Sequence, residues 1–247
     1  MNIRDITYKI SILFNVNKLT NTMSMISFSK MNKFNKKCLI LNNLYLETKK
    51  IISEVHNFNN NNLFCCILIT TNKGYCGNIN NDLIKNLLKF MKNNKNLDII
   101  IIGKKAIDFF NKKNIYIKKK IIFNEKEEVF FTKEILDLLK KYKNVFFISA
   151  KIVNNLPKII KTDLFIKKKN FFDQEINKEV LIDNYINYTL NYLFSENYFC
   201  ELKLRMITMK SAADNSLKII KSMNIIKNKI RQFKVTQEML EIINGSI

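Results

Sequence analysis

Residues 201–247 read ELKLRMITMKSAADNSLKIIKSMNIIKNKIRQFKVTQEMLEIINGSI, and this run decides the fold. Apolar side chains recur in it in steps of three or four residues, which is the pattern of a long helix with one apolar stripe. No proline interrupts the run, and its first glycine is Gly245, where a helix C-terminus is expected. The predicted stripe consists of Leu202, Met206, Met209, Ala213, Leu217, Ile220, Met223, Ile226, Ile230 and Phe233. Such a stripe has to pack along a second long helix.

The beginning of the chain offers that second helix. Between Ile3 and Ser53 neither glycine nor proline occurs, and the apolar periodicity is the same. We predict one helix of roughly 75 Å, which would form an antiparallel coiled coil with the last helix, because the first runs into the middle of the chain and the last runs out of it. Its stripe begins with Ile3, Ile6, Ile10, Leu13, Val16, Thr20, Met23 and Ile26. The predicted coiled-coil core includes Ile6, Ile10, Leu13, Met206, Met209, Ala213, Ile220 and Ile230.

Two features of the last helix go beyond the stripe. The run of small and polar residues from Ser211 to Ser216 should let the partner helix approach closely, with Asp214 and Asn215 fixing the register. The last helix, at roughly 100 Å, is also longer than the first, so its end should project beyond its partner. The projecting end carries Arg231, Gln232, Thr236, Gln237 and Glu238.

The middle of the chain alternates short apolar runs with helical patterns. Strands are predicted at 63–70, 97–102 and 145–149, within the range 115–123 and, after Pro157, at 163–166. Helices are predicted between them at 82–92, 104–113 and 133–141. This alternation is typical of a small, mostly parallel sheet covered on both faces. The predicted fold class is therefore α/β, with a Rossmann-like sheet domain at 57–176 between coiled-coil helices at 1–56 and 177–247.

The composition bounds the partners. Lys and Arg outnumber Asp and Glu by 42 to 21, which gives a formal net charge of +21. A protein this basic associates with acidic surfaces, of which nucleic acid is one, unless the lysines form an ordinary solvated surface. The five cysteines form no C-x-x-C pair and His56 is the only histidine, so no metal site is expected. We also expect neither a signal peptide nor a membrane span, because no apolar run is long enough.

A glycine loop and two lysine runs are the candidate ligand sites. The loop TNKGYCGN, residues 71–78, follows the first predicted strand, where α/β proteins often bind phosphates. It matches neither the P-loop nor the dinucleotide-binding pattern, so Gly74 and Gly77 are predicted to permit positive φ in a tight turn, and no cofactor or small-molecule ligand is expected. No histidine is available to activate Cys76 as a nucleophile. The runs 118–120 and 167–169 are lysines; the first is typical of a solvated face, and the second, beside Phe171 and Phe172, of a contact surface.

Three stretches resemble the gamma subunit of F-type ATP synthases. The loop GYCGNIN at 74–80 is similar to the family's G-L-C-G-G-L-N, and the pattern RMxxMKxAxDN…NKxRQxxxTQExxEI at 205–242 is similar over its whole length. The chain departs from the family at Asn72 and Lys73, where the family has Asp-Arg, and at Asn78, where it has glycine. The N-terminal resemblance is carried by Ile6, Lys9, Ile10, Asn15, Lys18, Thr20, Met23, Met25, Ser29, Lys30 and Met31.

The resemblance implies a rotor without a catalytic site of its own. In this family the coiled coil stands inside a head of alternating alpha and beta subunits, and the sheet domain sits on the membrane c-ring beside the epsilon subunit. Ion flow turns the ring and the rotor, and each orientation favours a different conformation of each beta subunit. The resemblance also implies a peripheral membrane protein on the cytoplasmic face of the bacterial inner membrane. It assigns beta-subunit contacts to Met23, Arg231, Gln232, Thr236, Gln237 and Glu238, and ring or epsilon contacts to Lys167, Lys168, Lys169, Phe171 and Phe172.

The alternative function is a basic RNA-binding α/β protein with a helical arm, which the charge alone would also fit. A nucleotide-dependent enzyme is a further alternative, but the chain lacks its phosphate-binding motif. Recovery of the chain with alpha and beta subunits, or with RNA, distinguishes the rotor from the RNA-binding protein.

Overall fold

The computed structural model describes residues 2–55, 64–93, 97–123, 133–142, 144–164 and 178–245. The chain forms two compact units, Met1–Phe28 with Arg205–Ile247, called here the helical unit, and Ser29–Leu204, called the sheet unit. The helices are α1 (Ile3–Val55), α2 (Ile79–Asn93), α3 (Lys104–Lys112), α4 (Lys133–Lys140) and α5 (Lys178–Gly245). The strands are β1 (Phe64–Ile69), β2 (Leu97–Ile102), β3 (Lys119–Ile121), β4 (Asn144–Val153) and β5 (Leu156–Asp163).

The sheet unit holds one five-stranded sheet in the order β3-β2-β1-β4-β5. β2 and β4 pair in parallel with β1, β3 pairs in parallel with β2, and β5 pairs antiparallel with β4. β1 is apolar on both faces because helices cover both faces of the sheet there. Cys65, Ile67 and Ile69 of β1 pack with α4 and α5, whereas Cys66 and Leu68 pack with α2 and α3. The predicted class, long terminal helices with a mostly parallel sheet, is confirmed.

The third strand lies inside its predicted range, whereas the last strand is misplaced. β3 covers 119–121, within 115–123, and it pairs with Ile100–Ile102, the last three residues of β2. β5 covers 156–163 rather than 163–166, so Pro157 lies inside it, opposite Ile152. β5 is the last strand in the sheet order, and an edge strand tolerates proline because an N–H on its outer side has no ladder bond to lose.

In the helical unit, α1 and α5 run antiparallel. The Asn17 side-chain amide donates a hydrogen bond to the Ala213 carbonyl at 2.7 Å, and the Ser24 hydroxyl donates to the Met206 carbonyl at 3.2 Å. Seven residues forward along α1 therefore correspond to seven residues backward along α5. The same register places Ile3, the first residue of α1, level with Lys227.

The two helices meet along a seam with a strict spacing of four and three residues, the repeat of a coiled coil. Every seam residue is buried or half-buried, and several of them are polar. On α1 the seam consists of Ile6, Ile10, Leu13, Asn17, Thr20, Ser24 and Ser27. On α5 it consists of Met206, Met209, Ala213, Ser216, Ile220, Met223, Lys227 and Ile230.

The seam departs from the stripes expected from apolar periodicity. Six of the expected stripe residues are exposed, and a neighbouring residue takes the inward position in most of these places. Asp214 and Asn215, which were expected to fix the register, are exposed as well, and Asn17 with Ser216 makes the polar contact instead. The exposed stripe residues are Val16, Met23, Ile26, Leu217, Ile226 and Phe233.

Candidate interaction surfaces

The C-terminal end of α5 extends beyond the start of α1. α1 begins level with Lys227, whereas α5 continues to Gly245. Residues 231–245, called here the tip segment, therefore add about 22 Å of helix, and each of them is exposed. The tip segment contains the five predicted beta-subunit contacts of α5: Arg231, Gln232, Thr236, Gln237 and Glu238.

The tip segment is amphipathic although nothing in the described residues buries it. At 3.6 residues per turn, its large apolar side chains fall on one half of the helix. Arg231, Gln237 and Glu238 lie on the other half, whereas Gln232 and Thr236 interrupt the apolar half. The Thr236 hydroxyl donates to the Gln232 carbonyl at 2.9 Å, which is a bond within the helix. The exposed apolar residues are Phe233, Val235, Met239, Leu240, Ile242 and Ile243.

A second exposed apolar surface runs along the outside of α1, and we call it the outer stripe. Its spacing is again four and three residues, so its members lie above one another on one helix face. Met23, the predicted beta-subunit contact on α1, belongs to it and is 38% exposed. The expected stripe of α1 mixes this surface with the seam, because Val16, Met23 and Ile26 belong to the outer stripe and Thr20 belongs to the seam. The outer stripe consists of Ile12, Val16, Leu19, Met23 and Ile26.

The glycine loop is held by its own polar groups. Asn80 accepts a hydrogen bond from the Thr71 backbone N–H at 3.2 Å and donates to the Thr71 hydroxyl at 2.8 Å and to the Cys76 thiol at 3.3 Å. Gly77 has the expected positive φ, 69°. Gly74 does not, and Tyr75 takes the left-handed conformation instead, at φ 63°. The Thr71, Cys76 and Asn80 side chains are therefore engaged in hydrogen bonds within the loop that links β1 to α2.

The first lysine run consists of paired side chains. The Lys118 ammonium lies 3.3 Å from the Asp98 carboxylate and that of Lys119 lies 2.9 Å from the Glu134 carboxylate. Lys120 donates to the Asn111 side chain at 2.8 Å. These contacts fit the predicted solvated face better than a phosphate site. The second run, with Lys167, Lys168, Lys169, Phe171 and Phe172, lies outside the described residues, as does His56.

Burial lowers the reactivity of the Cys65 and Cys200 thiols. Desolvation by burial raises the pKa of the Cys65 thiol to about 12, and the same cause raises that of Cys200 to about 12. Only a very small fraction of either thiol is ionised near neutral pH, and the thiolate is the form that reacts. Among the described residues no group of three or more His, Cys, Asp and Glu side chains could hold a metal ion. No helix in the same ranges is long and apolar enough to cross a membrane.

Comparisons with known proteins agree on one family. A family model described as ATP synthase matches residues 2–246. The ATP synthase gamma chain of Buchnera aphidicola subsp. Melaphis rhois is 32% identical over 287 residues, with 99% of this chain and 97% of that protein covered. The ATP synthase gamma chain of Mycoplasma capricolum subsp. capricolum is 26% identical, with 99% and 98% covered.

Solved structures share the fold. One similar chain comes from a cryo-EM structure of the Euglena gracilis mitochondrial ATP synthase that contains OSCP, F1 and c-ring in rotational state 3. Its TM-score is 0.76 at 16% identity, and 99% of this chain and 93% of that chain are covered. A chain from the rotor of the same enzyme in rotational state 1 has a TM-score of 0.75 at 15% identity, with 94% and 98% covered.

The family match takes in the whole architecture rather than one unit. Residues 2–246 include both long helices and all five strands of the described sheet. The chain therefore belongs to the ATP synthase gamma chain family, and it is a non-catalytic central-stalk subunit of the F-type ATP synthase, a membrane-associated complex.

Proposed function

We propose that this chain is the rotor that transmits ion-driven rotation of a membrane ring to the alpha and beta subunits of the catalytic head. The observation that carries the proposal is the tip segment, which exposes six large apolar side chains. Contiguous exposed apolar surface of this kind marks a site of protein contact. A head that encloses the tip segment and the outer stripe would remove both surfaces from water.

The polar half of the tip segment is suited to the loops of the beta subunits. Arg231 offers a guanidinium that can hold a carboxylate through two hydrogen bonds, and Gln237 and Glu238 add exposed polar groups on the same half. We assign Gln232 and Thr236 to the same loops. Met23 is assigned to the acidic levers of the beta subunits, and the positive charge of the chain favours such acidic partners.

Rotation changes the beta subunits because the helical unit is asymmetric. The outer stripe is apolar and lies on α1, whereas the tip segment is half polar and belongs to α5. Each orientation of the rotor therefore presents different chemistry to a given beta subunit. A rotor that contacts one conformation more favourably than another shifts the population toward it, and this coupling drives binding, synthesis and release of ATP.

We assign the remaining partners, the membrane c-ring and the epsilon subunit, to the stretch from Lys167 to Phe172. This stretch belongs to the domain at 57–176, between coiled-coil helices at 1–56 and 177–247, and the assignment rests on its basic and aromatic character. The chain would be a peripheral membrane protein on the cytoplasmic face of a bacterial inner membrane, since the gamma chains of Buchnera and Mycoplasma are among its relatives.

The contact assignment is tested by replacing Arg231, Gln232 and Glu238 with alanine in the assembled complex. All three side chains are exposed, so the fold of the chain should not change. We expect coupled ATP synthesis in ion-tight vesicles to fall about tenfold, the loss that corresponds to roughly 1.4 kcal/mol of contact energy. The chain should still be recovered with alpha and beta subunits.

A matched control replaces Lys104, Asp108 and Lys112 of α3 with alanine, which also removes three exposed polar groups from a helix surface. This variant should synthesise ATP at the wild-type rate. Wild-type synthesis by the tip variant would show that the tip contacts are wrongly assigned. Salt-sensitive RNA binding by a chain that is not recovered with alpha and beta subunits would overturn the rotor in favour of the RNA-binding alternative.

A further inference from the structure

Polar side chains occupy four consecutive seam positions of α1, where a coiled coil ordinarily carries apolar ones. These residues are Asn17, Thr20, Ser24 and Ser27, and all four are buried. The hydroxyl of Thr20 donates to carbonyls of α1 itself, and so does that of Ser27. Asn17 and Ser24 instead reach across to α5, and the contact of Asn17 is the shorter one.

Asn17 makes a closed hydrogen-bond network between the helices. Its side-chain N–H groups donate to the Ala213 carbonyl at 2.7 Å and to the Ser216 hydroxyl at 2.9 Å. The Ser216 hydroxyl in turn donates to the Ala213 carbonyl at 2.7 Å. The amide oxygen of Asn17 accepts from the Asn21 side chain at 3.3 Å. Both ends of a buried amide are thus satisfied in this alignment of the helices.

We propose that Asn17 and Ser216 pin the axial register of the helical unit. The seam positions repeat every seven residues on both helices, so a slip of one heptad, about 10 Å, would again place seam against seam. After such a slip Asn17 would lie level with Met206 or Ile220 instead of the small Ala213, and Met209 or Met223 would take the place of Ser216. The N–H that the Ser216 hydroxyl now accepts would then be buried without that partner, which is unfavourable, so the network selects one register among several that the seam spacing alone would allow.

The register matters because the functional surfaces lie on different helices, and this step rests on the proposed rotor function. Met23 of the outer stripe is level with residue 207, whereas the tip segment begins at Arg231, about 36 Å further along α5. A slip would change that separation by about 10 Å. Both surfaces could then no longer meet their assigned parts of one head at the same time.

The register can be measured with nitroxide labels on the full chain. Met25→Cys and Ile225→Cys place one label on each helix at exposed positions, and Cys38→Ser removes the half-buried native thiol. Double electron–electron resonance should give one distance for the chain with Asn17. The Asn17→Leu substitution fills the seam with a side chain that fits any register. We expect it to add a second distance, displaced by about 10 Å.

The matched control is Thr20→Val, which alters a neighbouring buried seam residue whose hydroxyl bonds to α1 itself, and it should leave a single distance. If Asn17→Leu does not fold, Asn17→Ala, which removes the amide without adding bulk, decides the question. A single, unshifted distance in the folded Asn17 variants would show that Asn17 does not fix the register. Since no partner subunit is present in this measurement, that result would leave the rotor to be judged by the tip variant.

Discussion

Gly103 shows, at the scale of one residue, how the backbone can require glycine without any ligand. It follows β2 with a φ of 109°, and a Cβ added there would lie 2.2 Å from the carbonyl oxygen of Thr70. Three chain segments meet at this point: the Thr70 N–H donates to the Ile102 carbonyl at 2.7 Å, and the Gly103 N–H donates to the Ile121 carbonyl at 2.9 Å. The close approach is therefore built into the sheet.

We predict that Gly103→Ala lowers the free energy of unfolding by about 3 kcal/mol or more, because the new side chain adds a backbone clash to an unfavourable φ. Chemical denaturation of the full chain, followed by circular dichroism, measures the change. Gly74→Ala is the control, since the atoms nearest to its added Cβ belong to the Lys105 side chain at 3.9 Å. The control should stay within about 0.5 kcal/mol of the wild type. Equal losses in the two variants would contradict the prediction.

At the scale of the elements, α1 and α5 show what apolar periodicity determines and what it leaves open. Their ends agree with the predicted ends to within a few residues, because no glycine or proline interrupts either run. The face that each helix buries is harder to predict. α1 carries an apolar outer stripe beside a partly polar seam, and periodicity alone favours the apolar one. Asn17 turns inward because its amide finds partners on α5, which is a tertiary fact absent from the local sequence.

The sheet unit shows the same limit in another form. The strands at 64–69 and 97–102 were predictable because both are continuous apolar runs with helices on each side. The predicted limits of β5 are wrong because a proline and lysines are typical of a loop, and a strand tolerates them when it lies at the edge of a sheet. Edge position depends on the order of all five strands, which no local pattern contains.

The seam predicts different stabilities for two variants that the expected stripe would make alike, because Met209 and Leu217 both belong to the expected stripe. Met209 is 7% exposed in the seam, whereas Leu217, an expected stripe residue, is 41% exposed. Met209→Ala should therefore lower the free energy of unfolding by about 2 kcal/mol, and Leu217→Ala by no more than about 0.5 kcal/mol. Denaturation of the two variants side by side measures the difference. A loss for Leu217→Ala as large as that for Met209→Ala would favour the expected stripe and refute the seam.

At the scale of the whole molecule, stability and assembly should depend on different parts of the chain. Residues of the sheet core and the seam are buried within the chain, whereas the tip segment contains no buried residue. The seam itself ends at Ile230, immediately before the tip segment. Removing the tip segment therefore takes away surface without opening a core.

We predict that a chain truncated after Ile230 keeps its free energy of unfolding to within about 0.5 kcal/mol but assembles more weakly with alpha and beta subunits. Denaturation measures the first quantity, and recovery of the complex across a dilution series measures the second.

A full-length variant with Phe233, Met239 and Ile243 replaced by serine keeps the helix length and removes much of its apolar half. It should show the same weakened assembly, because the loss is attributed to the apolar surface and not to length. Wild-type assembly by both variants would show that the head does not cover the tip segment, and a large loss of stability on truncation would mean that the tip supports the fold.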